Sequence, residues 1–160
     1  MKENLRELHT ALEETFSANF VSYYRAHVAH VNIQGRTFYQ DHKLLQKIYE
    51  YFQANIDTLG EKIRTCRAFM PNSLQTVVGI SPIMDQDVEG DALELFNMID
   101  EDLEAMIDQY HRLNDAAEAV NYIDISNYAQ DQIGIIARFR WMVESTLDER
   151  KQETDDEENY

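Results

Sequence analysis

Pro71-Asn72-Ser73-Leu74-Gln75-Thr76-Val77-Val78-Gly79-Ile80-Ser81-Pro82 is the stretch on which the fold turns. Proline fixes φ and removes a backbone donor, so the two prolines punctuate the chain, and the residues between them suffice for one or two helical turns. Upstream, Leu45, Ile48, Phe52, Ile56, Leu59 and Ile63 recur at three or four residues, the stripe of a long amphipathic helix. Gly35 breaks the chain before it, and Leu5, Leu8, Leu12, Phe16, Phe20, Tyr23, His27 and His30 mark an earlier helix. Downstream, Leu93, Phe96, Ile99, Leu103, Met106, Tyr110 and Leu113 define a third. Ile125, Tyr128, Ile136, Phe139, Met142 and Leu147, with Trp141, define a fourth. The reading is all-α: two pairs of long helices joined by a long crossover that carries a short helix.

Composition agrees. The chain has 160 residues, 44% of them hydrophobic, with only 5 Gly and 2 Pro, enough for one real core and unsuited to a turn-rich strand fold. Residues 1–149 are expected to form the bundle. Residues 150–160, which lack an apolar face, are expected to be a flexible acidic tail. The single cysteine, Cys66, has no internal partner and suits a reducing cytoplasm. The N-terminal residues have no export-signal pattern, and no apolar run approaches the roughly 20 residues that span a bilayer, so no membrane partner is expected. A net charge of −16 repels phosphate backbones and anionic lipid, and nucleic acid is not an expected partner. An acidic surface favours cations, although solubility alone also explains it.

Two helix pairs with one long crossover describe a four-helix bundle of the ferritin-like kind. The usual di-iron bundle carries a Glu-x-x-His pair on each of two helices, and this sequence has none. His9, His27 and His111 read as ordinary packed or surface histidines. A different set is informative: His30 at the end of the first helix, His42 early in the second, and Asp57 with Glu61 one turn apart late in the second. Imidazole nitrogens and carboxylate oxygens suit ferrous iron, and the carboxylates also hold ferric iron. His42 and Asp57 are about 22 Å apart along a helix, so one subunit cannot close the site. Both lie near one helix face. Two such helices packed antiparallel about a two-fold, with the axis near Tyr51 and Phe52, bring His42 beside Glu61 of the neighbour.

His30-Val31-Asn32-Ile33-Gln34-Gly35-x-x-Phe38, His42 and Asp57-x-x-x-Glu61 together resemble the iron-site signature of the Dps proteins, the mini-ferritins; Asp124-Ile125-Ser126 and Trp141-Met142 are weaker echoes. The resemblance covers most of the chain. It implies a homo-oligomeric, hollow twelve-subunit shell that oxidises Fe(II) with hydrogen peroxide or dioxygen at inter-subunit ferroxidase centres. The ferric mineral would be stored inside, limiting oxidative damage. By the same resemblance His30 and His42 come from one subunit and Asp57 and Glu61 from its mate, Glu61 bridging. Asp124 matches an acidic position that could line a pore, and a helix N-cap explains it equally well.

The departures matter. Gln46 stands where the family has an acidic ligand one turn after the second histidine, and a neutral amide weakens the second metal position. Val31 replaces the family's usual tryptophan. Gly60, between the two carboxylates, costs about 1 kcal/mol against alanine in a helix, which either close helix approach or chance explains. Two alternatives follow: a non-catalytic shell with a degraded site at Gln46, or an acidic helical protein that mimics nucleic acid and occupies a basic partner.

Overall fold

The computed structural model describes the backbone of residues 2–158 and the side chains of residues 3–148. Four long helices and one short one follow the expected order: α1 Lys2–Asn32, α2 Phe38–Thr65, α3 Leu74–Ile80, α4 Ala92–Glu118 and α5 Ile123–Glu158. Helix α5 carries helical backbone into the segment expected to be a flexible tail; the side chains of residues 149–160, and residues 159–160 altogether, lie outside the described residues.

Pairing follows connection length. The short turn through Gly35, whose φ of +126° suits glycine, folds α2 back on α1, and the turn at Ala119–Tyr122 folds α5 back on α4. Between the pairs the crossover holds α3 against α1. Ser73 caps α3 by accepting from the Thr76 N–H. Asp91 and Glu94 form a reciprocal capping box at the start of α4. Asp91→Ala removes half of that box and should cost about 1 kcal/mol, read as a lower denaturant midpoint at unchanged slope.

The predicted stripes become the core: Leu8, Leu12, Leu45, Ile48, Phe96, Leu103, Tyr110 and Ile136 are all fully buried. Trp141, placed with the apolar markers of the fourth helix, instead faces solvent at 64% exposure. No helix among the described residues is long and apolar enough to cross a membrane.

The crossover is fastened from inside the bundle. Arg25 of α1 donates to Asp102 of α4 at 2.7 Å, and its guanidinium also reaches the carbonyls of Met84 and Gln86. A second buried polar group in the bundle is uncharged. The Tyr51 hydroxyl and the Asn55 amide both donate to the Gln132 carbonyl, and Tyr128 donates to Asn55. Tyr110 completes the group beside Tyr128. Burial raises all three phenols, Tyr128 to about 12, so they stay protonated and donate. This buried group is thus built of tyrosines and amides and contains no carboxylate.

Candidate metal centre

His30 and His42 meet where α1 ends and α2 begins. Their rings stack at 3.7 Å with 17° between planes. Each Nδ1 lies 2.7 Å from the backbone carbonyl oxygen of the other residue. A carbonyl only accepts, so both Nδ1 atoms carry hydrogen, and in the neutral rings both Nε2 atoms keep a free lone pair. This is the tautomer that a metal ligand needs, held by the backbone in the way that orienting partners hold metal-bound histidines. The same bonds satisfy a carbonyl in the last turn of α1 that has no helical partner. Phe38 stacks on His42 from the other side, 5.0 Å away.

Burial lowers the pKa of His30, and the nearby His42 and His27 rings lower it further, against its bond to the His42 carbonyl and the Glu50 charge. His30 is therefore neutral at neutral pH. Its folded value lies below the unfolded 6.5, so the unfolded chain binds the proton more readily. The resulting stability is present above pH 6.5 and is lost as pH falls through the lower folded value. An NMR titration of the His30 ring should give a midpoint below 6.5 in the metal-free protein.

Gln46 lies one turn beyond His42, and its amide Nε2 donates to Glu50 at 2.7 Å. Glu50, one turn further on, is the carboxylate that the Gln46 side chain holds. Its signal in the sequence was only the four-residue spacing Gln46 to Glu50.

Asp57 and Glu61 are exposed on the C-terminal half of the same helix and make no hydrogen bond or ion pair among the described residues. They line an open groove of about 840 Å³ with Gln53, Ile56, Gly60 and Met70. Within one chain the histidines and these carboxylates stay apart, and among the described residues no group of three or more His, Cys, Asp or Glu side chains could hold a metal ion. The histidine pair stands by the N-terminal end of α2, and Asp57 and Glu61 stand toward its C-terminal end.

Several sequence readings change at this level. Phe52 is buried in the chain's own core and Tyr51 is half-buried against it, so on the exposed face of α2 the residue nearest the middle is Gln53. A Cβ on Gly60 would stand 3.0 Å from Met70 Sδ of the same chain, a local reason for its small size. Asp124 is not a cap: it lies in the first turn of α5, 65% exposed, with Lys62 Nζ 3.8 Å away. His9 hydrogen-bonds to the Cys66 carbonyl and His111 is exposed, as packed and surface histidines should be. Val31 projects outward at 62% exposure.

The fold defines a class: a four-helix bundle with a crossover helix, carrying here a stacked histidine pair at the turn between its first two helices. The ferritin-like domain family matches residues 9–152, and the chain belongs to it. Within that family its similarities are to Dps proteins. It is 25% identical over 128 residues to the DNA protection during starvation protein of Helicobacter pylori, covering 79% of this chain and 89% of that one. A Dps protein from Bacillus brevis superposes with a TM-score of 0.86 at 18% identity, over 91% of this chain and 97% of the other. The Dps protein of Vibrio cholerae, described as a member of the ferritin-like diiron-carboxylate superfamily, gives a TM-score of 0.85 at 23% identity, with 91% of each chain covered.

Proposed function

We propose that this protein is a mini-ferritin. It takes Fe(II) as substrate, oxidises it with peroxide or dioxygen at centres shared between two-fold-related subunits, and stores the ferric product in a twelve-subunit shell. The observation that carries this reading is the reciprocal pair of bonds between His30 and His42, which leaves two Nε2 lone pairs free on rings oriented by those bonds. Packing alone would not require both rings to adopt that tautomer. The second half of the site is the unpaired Asp57 and Glu61, on the same exposed face of α2. Two copies of α2 run antiparallel would cross near Gln53 and place His42 of each beside Glu61 of the other, making two sites per pair.

The chemical division of labour follows. Carboxylates attract the cation and tolerate its oxidised form, while neutral imidazoles orient it. A net charge of −16 raises the local concentration of ferrous ions and opposes DNA, so the protective role rests on iron and peroxide rather than on coating nucleic acid. Asp124, tethered loosely by Lys62, would serve at most as an entry-path carboxylate.

A second reading has its own observation. Gln46 brings no charge to the second metal position and spends its amide N–H on Glu50, which favours a slow iron buffer over a rapid ferroxidase. Stopped-flow oxidation of Fe(II) by the purified assembly, with peroxide and separately with dioxygen, tests both. Parent rates well above the protein-free control support the ferroxidase. Gln46→Asp should then accelerate oxidation modestly, within about tenfold; a parent at the control rate with a fast Gln46→Asp variant would instead establish the degraded site.

A further inference from the structure

Beside the histidine pair lies a second aromatic group that the proposed centre does not use. His27 precedes His30 by one turn, with ring centroids 6.0 Å apart. The Tyr49 ring lies flat on His27, 4.0 Å away at 3°, and meets His30 edge-on at 4.9 Å. Tyr23, one turn earlier on α1, places its phenol oxygen 3.1 Å from Nδ1 of His27 and its ring 6.4 Å from Tyr49. Tyr23 is thus joined to the candidate iron ligand by an unbroken series of ring contacts, and its hydroxyl stands within hydrogen-bond reach of the His27 imidazole, which accepts from it when the ring carries its hydrogen on Nε2. Tyr49 has no hydrogen bond on its hydroxyl among the described residues.

We infer that Tyr23 and His27 form a proton-coupled electron donor to the iron site, with Tyr49 as the stacked bridge. The inference rests on the ferroxidase reading above and deepens it. Cleaving the O–O bond of hydrogen peroxide to two waters takes two electrons and two protons, and one Fe(II) supplies one electron. With Gln46 weakening the second iron position, a site holding one iron would otherwise release hydroxide and a hydroxyl radical. Tyr23 supplies the second electron. A phenol that loses an electron must also shed its proton, and His27 Nδ1 stands within the reach that direct transfer requires.

The step balances: one Fe(II), the Tyr23–His27 pair, one peroxide and two solvent protons become Fe(III), a Tyr23 phenoxyl radical beside protonated His27, and two waters. The next Fe(II) returns an electron to the radical, and His27 returns the proton. Tyr49 contacts both imidazoles but has no base at its hydroxyl, so it passes the electron without being the resting place of the radical.

The test is freeze-quench EPR on the assembled protein loaded with one Fe(II) per subunit and mixed with peroxide, so that no second iron quenches the product. A phenoxyl signal is expected in the parent and in Tyr49→Phe, narrowed by ring-deuterated tyrosine and lost in Tyr23→Phe. Light scattering confirms that the variants still assemble. Spin-trapped hydroxyl radical should rise several-fold in Tyr23→Phe. An undiminished signal in Tyr23→Phe overturns the inference, as does a parent that oxidises iron with no phenoxyl radical, and both outcomes leave the ferroxidase standing. A parent that oxidises no iron removes both.

Discussion

Glu61→Ala and His42→Ala should each lower the rate of iron oxidation by on the order of 100-fold or more, since even the partners that merely orient metal ligands cost 10- to 100-fold. A co-refolded mixture of the two variants should regain activity. In the proposed arrangement each variant alone spoils every site, because both sites of a homodimer would take His42 from one chain and Glu61 from the other. In a mixed pair the two lesions fall in the same site and the other is intact. Random pairing in an equal mixture therefore restores about a quarter of the parental rate. A mixture as inactive as its components would refute the shared site, whatever the behaviour of the single variants. The prediction rests on the proposed pairing of subunits, for which one chain supplies the motive: His42 and the two carboxylates all lie on α2 and remain apart.

Asp102→Ala should be the most damaging change outside the metal centre. Arg25 and Asp102 are 7% and 9% exposed, and removing one partner leaves the other charge buried with only the Met84 and Gln86 carbonyls for company. Breaking such a pair costs about 3–5 kcal/mol. At roughly 2–4 °C per kcal/mol, that is a fall in Tm of about 6–20 °C. Burial raises the Asp102 carboxyl more than Arg25 lowers it, so the intact pair is not itself a large source of stability. Replacing both members with apolar residues of similar volume should accordingly be close to neutral. Guanidinium unfolding of the parent, the single variant and the double replacement measures all three. Hydrogen exchange at residues 83–90 should quicken in the single variant, because Arg25 anchors that part of the crossover. A loss below 1 kcal/mol on Asp102→Ala would show that the loop, and not the pair, bears the load.

The order of helices, their stripes and the candidate ligands are local properties, and the sequence by itself determined them. Leu45, Ile48, Phe52, Leu59 and Ile63 repeat with the helical period wherever the helix is placed, and Pro71 and Pro82 bracket α3 regardless of its neighbours. The same period put His42, Asp57 and Glu61 near one face of α2 and, through the 1.5 Å rise, too far apart for one chain to join. Tertiary structure decided what depends on packing angle and rotamer. His30 and His42 acquire their tautomers only because the turn at Gly35 brings each ring to the other's carbonyl. Arg25 and Asp102 find each other across the bundle, and Tyr49 lies on His27 from the facing helix; no spacing encodes either contact. The period itself sets Tyr51 and Phe52 on the side of α2 away from His42, Asp57 and Glu61, and packing buries Phe52 there with Tyr51 half-buried beside it. A helical repeat specifies which residues share a stripe. Only the meeting of two surfaces specifies which atoms touch.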